Sequence, residues 1–261
     1  MPQPAQRAIF APDFSTEPLW WADAPPEPAD ERPLPERVDV AVVGGGYCGL
    51  SAALTLARAG ADVAVLEAGP FGQGASSRNG GMVGGAVKLD WSRLADRFGH
   101  ALAGALLDGA RASFEHLEDL IAREGFAVDY RRHGRFLLAC NPAQFRALQR
   151  EVAALGERAR RVRIVSRAAL REEIGSDLYD GGVVIEESGG LHPAKLHRAL
   201  CEAARAAGAE LHGRAEVRHL ERVGARMRLH TARGRLCADH VLIATNGYTR
   251  DLTPELRRRI V

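Results

Sequence analysis

Lysine is almost missing from this chain: Lys88 and Lys195 are the only two, and arginine supplies the rest of the 35 positive charges. Against 33 acidic residues the formal charge is only +2, so no global field draws the protein to nucleic acid or to an anionic membrane surface. Cysteine is sparse as well. Cys48, Cys140, Cys201 and Cys237 have no C-x-x-C spacing and no histidines at metal-ligand offsets, which argues against a zinc site, any other metal centre or a disulfide scaffold. A reducing cytoplasm is the expected home. No apolar run approaches the ~20 residues that a membrane span requires, and the N-terminus lacks the basic-then-apolar pattern of a secretion signal. What is present is a 46% hydrophobic composition over 261 residues, enough for the core of one or two domains.

Residues 1–36 are rich in proline and acidic side chains and have neither helical nor strand period. They read as an extended arm, and the pair Trp20 and Trp21 suggests that part of it docks on the body, since exposed indoles are costly. The run from Val38 to Val43 reads as a short buried strand, the stretch from Tyr47 to Gly60 as a helix, and ADVAVLEA from Ala61 to Ala68 as a second strand. Residues 91–124 have helical periodicity broken at Gly99, with Gly104 a second candidate break, and residues 126–139 read as a hairpin turning at Arg132 to Gly134. A helix follows Pro142 to about Ala159, and another runs from Pro193 to Ala207. Short strands are expected at Glu210 to Leu211, Ala215 to Leu220, Arg226 to Thr231 and His240 to Ala244.

Between the first strand and the first helix lies Gly44-Gly45-Gly46-Tyr47-Cys48-Gly49, a G-x-G-x-x-G. Gly44 permits the tight turn, Gly46 lets the backbone approach a diphosphate, and Gly49 allows the helix to pack closely on the strand. The diphosphate then sits at a helix N-terminus, where unpaired N–H groups and the helix dipole favour an anion. A glycine cluster alone is weak evidence, but Glu67 stands at the end of the second strand, at the distance expected of a ribose-binding acid. Its carboxylate would accept from ribose hydroxyls and repel a 2′-phosphate, which disfavours NADP.

A second loop, Gly72-Gln73-Gly74-Ala75-Ser76-Ser77-Arg78-Asn79-Gly80-Gly81-Met82, follows a few residues later. It can curl back over the same cofactor, with Ser76, Ser77 and backbone amides binding phosphate oxygens and Arg78 offsetting their charge.

VVGGGYCGLSAALTLARAGADVAVLEA followed by GQGASSRNGGMV resembles the N-terminal region of FAD-dependent oxidoreductases of the D-amino-acid oxidase type. It is most similar to the amine-oxidising branch typified by γ-glutamylputrescine oxidoreductases. That branch also carries an aromatic arm, as at Trp20 and Trp21; Gly189-Gly190-Leu191-His192-Pro193 and Ala244-Thr245-Asn246-Gly247-Tyr248 are similar to later landmarks of the family. The resemblance implies FAD as cofactor. It extends the cofactor-binding set to Ala68, to Val217 beside the adenine, and to Thr245 at the end of a strand that returns beside the first; it also places Asn79, Gly80, Gly81 and Met82 in the flavin loop. Two departures stand out: the family often has Gly at the position of Ser77 and Thr at that of Cys48. The family also continues well beyond residue 261, so the chain reads as C-terminally truncated and by itself inactive.

The expected fold is α/β: a Rossmann-type FAD-binding domain with an inserted α+β substrate domain. The arm occupies residues 1–36, the FAD-binding domain 37–90 and 186–247, the substrate domain 91–185, and residues 248–261 begin a C-terminal region. The resemblance implies oxidation of the C–N bond of an amine or amino acid, with hydride transfer to flavin and hydrolysis of the imine. A small-molecule amine such as a γ-glutamylputrescine-like compound is the expected substrate, and oxygen or another electron acceptor the second partner. The alternatives are a non-catalytic flavin-binding fragment and an oxidase or dehydrogenase of D-amino acids or glycine. No catalytic residue is assigned. Cys48 and His192 are read as packing residues, and Arg257 to Arg259 as a solvated face.

Overall fold

The computed structural model describes residues 11, 13–28, 32–85, 87 and 90–260. Residues 1–10, 12 and 29–31 of the expected arm lie outside the described residues, as does Lys88. In chain order the elements are β1 (Arg37–Val43), α1 (Tyr47–Arg58), β2 (Val63–Leu66), β3 (Met82–Gly84), α2 (Trp91–Glu124), β4 (Arg135–Leu138), α3 (Pro142–Leu155), β5 (Val162–Ser166), α4 (Leu170–Glu173), β6 (Gly181–Ile185), β7 (Ser188–Gly190), α5 (Pro193–Ala206), β8 (Glu210–His212), β9 (Val217–Val223), β10 (Arg226–Thr231), β11 (Gly234–Ile243) and α6 (Pro254–Arg257). They form two compact units: one joins the residues up to Arg78 to those from Pro193 onward, and the other is Asn79–His192.

The first unit is built on a six-stranded sheet in the order β8-β2-β1-β11-β10-β9. Strands β8, β2, β1 and β11 run parallel, while β10 and β9 add an antiparallel meander. Numbered by their own succession, the parallel strands follow the order 3-2-1-4 of a dinucleotide-binding half-domain. Strand β1 shows why its sequence changes character along its length. Its first residues alternate, with Val38 buried and Asp39 exposed, whereas Ala41, Val42 and Val43 are buried in succession, as a central parallel strand requires. Helices α1 and α5 pack against one another, and the sheet's core gathers Val38, Ala41, Val43, Leu66, Leu229 and Leu236.

Strand β11 begins at Gly234, six residues before the expected His240. Polar Arg235, Asp239 and His240 disguise it, but Leu236 and Ala238 are fully buried at the period of a strand with one face in the core.

The second unit has α+β character, with a three-stranded antiparallel sheet β4-β6-β5 and a short β3-β7 ladder. Helix α2 is interrupted where expected, at Gly99, whose φ of 77° lies outside the helical region, and Asp90 caps its start by accepting the Arg93 N–H at 2.9 Å. The hairpin expected over residues 126–139 does not form. Gly134 does turn the chain at φ 74°, but its flanks pair elsewhere: Arg131 bridges Gly190, and β4 pairs with β6. At Gly182 a Cβ would stand 2.4 Å from the Leu137 carbonyl oxygen, so the close pass of β4 over β6 requires glycine there.

Candidate dinucleotide site

In the first unit, β2 lies on one side of β1 and β11 on the other, so the strand order reverses about β1. Ligands of open parallel sheets bind beyond the carboxyl ends of the strands at such a switch point. Gly44 follows β1 there and Thr245 follows β11. Gly44 adopts φ 106°, and a Cβ on it would meet the Ala244 carbonyl oxygen at 2.7 Å. Gly49 is tighter still: its Cβ would stand 2.0 Å from the Gly44 oxygen, which ties the first turn of α1 to the end of β1. At Gly46 a Cβ would meet only the Ser76 hydroxyl, at 3.0 Å. The first turn is thus glycine for packing at positions 44 and 49, whereas position 46 leaves room.

Glu67 sits just past β2, half-buried, with both carboxylate oxygens engaged. Oε2 accepts the Gly45 N–H at 2.7 Å and Oε1 accepts the Gly69 N–H at 3.1 Å. A carboxylate offers about four lone-pair sites, so a ribose diol can still be accepted there. Ala68, next to it, is exposed, while the flanking carbonyls of Glu67 and Gly69 accept from Ala215 and Arg214 and anchor the turn before β9. Val217 opens β9 with its side chain buried in the sheet core, which leaves its backbone as the part able to meet a ligand.

The second loop makes a turn of 3-10 helix at Ala75–Ser77. Ser76 comes to the N-terminus of α1, where its Oγ accepts the Tyr47 N–H at 3.1 Å. Ser77 has a different use from the phosphate contact expected of it. It is 1% exposed; its hydroxyl donates to the Gly72 carbonyl and accepts the Trp21 indole N–H at 3.1 Å, so it fastens the loop to the arm. Arg78, at the end of the first unit, is exposed. Asn79, Gly80, Gly81 and Met82 belong to the second unit: Asn79 Oδ1 accepts the Gly81 N–H at 2.8 Å, and Met82, 84% exposed, opens β3 opposite Gly190.

Three supports of this site carried no motif. Phe71 is buried with its ring against Gly45, so close that a Cβ on Gly45 would overlap it at 2.3 Å. The arm continues from Trp21 to Glu27, whose N–H bonds the Phe71 carbonyl at 2.8 Å and whose carboxylate pairs with Arg205 of α5. His197 of α5, 4% exposed, bonds the Gly45 carbonyl through Nε2 at 2.7 Å. A carbonyl only accepts, so Nε2 carries the proton, and desolvation holds the ring's pKa below its ordinary value. The one trace of His197 in the sequence is its place in the stripe Leu196, Leu200, Cys201 and Ala204 on the buried face of α5.

The remaining single residues divide. Cys48, expected to pack, is exposed, because position 48 points off the outer face of α1's first turn. His192 is buried in the second unit, with its N–H on the Val128 carbonyl at 2.8 Å, and Arg257 to Arg259 are exposed. Among the described residues no cluster of three or more His, Cys, Asp or Glu could hold a metal ion, and no helix is long and apolar enough to cross a membrane.

A parallel sheet of this order, a glycine turn at its switch point and a carboxylate at the end of the next strand define a dinucleotide-binding protein of the Rossmann type. Residues 39–261 match the model of the FAD dependent oxidoreductase family, and the chain belongs to that family, whose cofactor is FAD. Gamma-glutamylputrescine oxidoreductase of Escherichia coli is 35% identical over 224 residues, covering 85% of this chain and 52% of that protein. The structure of glycine oxidase from Geobacillus kaustophilus superposes with a TM-score of 0.72 at 28% identity, over 85% of this chain and 59% of that one. An L-amino acid deaminase from Proteus myxofaciens, 20% identical, shares the fold with a TM-score of 0.72 over 89% of this chain and 51% of its own. The chain spans about half the length of the curated relatives it matches.

Proposed function

We propose that this chain forms the ADP-binding half of the FAD site in an oxidoreductase that oxidises the C–N bond of an amine or amino acid. The observation that carries the reading is the Gly44–Gly49 turn linked to Glu67 at the switch point of a parallel sheet. Gly46 and the N-terminus of α1 would face the diphosphate, Ser76 would flank it, Glu67 would take the adenosine ribose, and the backbone at Val217 would border the adenine. Arg78 would offset phosphate charge, and Ala68 and Thr245 would line the cradle. The family resemblance assigns Asn79, Gly80, Gly81 and Met82 to the flavin loop. The segments 37–90 and 186–247 would serve as the FAD-binding domain and 91–185 as the substrate domain.

Bound FAD supplies the two-electron acceptor: the substrate's C–N bond becomes an imine, which water converts to a carbonyl compound and the free amine. The chain's own contribution is to fix the dinucleotide's position and orientation, where proximity lowers the barrier. A γ-glutamylputrescine-like amine is the favoured substrate, because the relative bearing that name is 35% identical. Glycine or another amino acid is the second reading, favoured by the likeness to glycine oxidase. Reoxidation falls to oxygen or another acceptor, in the cytoplasm. The test is anaerobic addition of γ-glutamylputrescine, glycine or D-alanine to the FAD-loaded protein. Bleaching of the flavin band by the first compound alone supports the amine reading, bleaching by glycine the second, and bleaching by none of the three favours the non-catalytic flavin-binding fragment.

A further inference from the structure

The backbone of the glycine turn is held group by group. The Gly44 N–H bonds the Leu66 carbonyl at 2.9 Å, the Gly45 N–H bonds Glu67, and the Tyr47 N–H bonds Ser76. The Gly46 N–H alone of these four has no acceptor among the described residues. Its direction is set by the peptide it shares with the Gly45 carbonyl. In a trans peptide the C=O and the following N–H point in opposite directions, and no cis bond occurs among the described residues. The Gly45 carbonyl points at His197 on α5, so the Gly46 N–H points away from α5.

We infer that His197 is a positioning residue of the dinucleotide site, holding the Gly45–Gly46 peptide so that the Gly46 N–H is aimed at the diphosphate of the cofactor. The inference rests on the proposed FAD reading. The Gly45 carbonyl fixes the imidazole's tautomer and makes Nδ1 the acceptor; Cys201, one turn further along α5, places its Sγ 3.8 Å from Nδ1, and burial pushes its thiol pKa up, so it stays an S–H donor. The chain of contacts therefore runs from the Cys201 thiol through the neutral ring to the Gly45 carbonyl. The second loop passes nearby: a Cβ added to Gly72 would stand 3.6 Å from His197 Nδ1.

The experiment measures FAD and ADP affinity of the full 261-residue chain by calorimetry, for the wild type, His197→Phe and His197→Gln. His197→Phe keeps the ring's bulk and loses the donor, whereas the glutamine amide can still donate to Gly45. We expect His197→Phe to bind both ligands about tenfold more weakly, and His197→Gln to recover most of the loss. Nitrogen NMR of the unliganded wild type should find His197 neutral with its proton on Nε2, a readout that survives even if a variant fails to fold. Equal affinities across the three proteins, equal losses in both variants, or a proton on Nδ1 would each overturn the inference. A wild type that binds neither FAD nor ADP while keeping the Nε2 proton would instead overturn the reading of the site.

Discussion

The Glu67 carboxylate and the Gly45 amide are 2.7 Å apart, so the acid at the end of one strand holds the glycine turn that follows its neighbour. A residue assigned to the cofactor's ribose thereby also orders the cradle around the diphosphate. Glu67→Ala removes both functions, and Glu67→Gln keeps one acceptor. Hydrogen bonds to a charged group are worth about 1.5 to 3 kcal/mol, so Glu67→Ala should weaken FAD binding by one to two orders of magnitude and lower the melting temperature without ligand. Glu67→Gln should fall between. Unchanged affinity in Glu67→Ala, read by flavin fluorescence titration, would remove the carboxylate from the site.

Two glycines of the motif should fail in different ways. At Gly49 a Cβ collides with the Gly44 oxygen, so Gly49→Ala should destabilise the apo fold by about 1 to 3 kcal/mol, as overpacking does. Gly46 has extended backbone at φ −82° and only a serine hydroxyl in its way, so Gly46→Val should fold and yet lose FAD, because its side chain fills the space of the diphosphate. Apo melting curves set beside flavin content separate the two, and the reverse pattern would contradict the geometry.

The arm acts on the second loop through Trp21 and Ser77. Trp21→Phe keeps most of the apolar contact and removes an N–H donor from a buried hydroxyl, a loss of about 1 kcal/mol. The loop between Phe71 and Arg78 should then be cut faster by trypsin at Arg78, with global stability changed by about that amount. Identical cleavage kinetics would mean that the indole does not hold the loop.

The motif at Gly44 to Gly49 and the acid at Glu67 were legible because each needs a specific residue at a specific place in a strand-turn-helix. Strand β1 and helix α1 stood out for the same reason, through local hydrophobic runs and glycine stops. What stayed hidden depends on distant chain. His197 reaches Gly45 across 152 residues of sequence, and Phe71 matters only because the fold lays it under a glycine. The expected hairpin over residues 126–139 does not form because its two flanks pair with chain some 45 to 60 residues later, β4 with β6 and Arg131 with Gly190, which no local pattern reveals. Ser77 was assigned to phosphate from the loop's place after the second strand, whereas its burial and its bonds to Gly72 and Trp21 depend on the arm, which no local pattern shows.

Stability should depend on pH through His197. Unfolded, the ring takes a proton near the ordinary histidine value of about 6.5; folded, desolvation holds its pKa lower, opposed by the Gly45 bond and by Glu27 and Glu67, with Arg205 adding to the depression. Between the two values the unfolded chain binds more protons, so stability falls as pH drops below about 6.5 and is flat above it. Urea unfolding of wild type and His197→Gln should differ in slope only on the acid side. Parallel pH profiles would show that His197 does not titrate differently in the fold.

The turn at Gly44 to Gly49 with Glu67 is read as an ADP-ribose site for FAD rather than for a 2′-phosphorylated nucleotide, and competition titration of the purified chain with FAD, ADP and NADP+ distinguishes the two. FAD should bind saturably at one site, ADP should displace it, NADP+ at the same concentration should not, and Glu67→Ala should narrow the difference. Displacement of FAD by NADP+ as readily as by ADP, or FAD binding untouched by ADP, would contradict that reading.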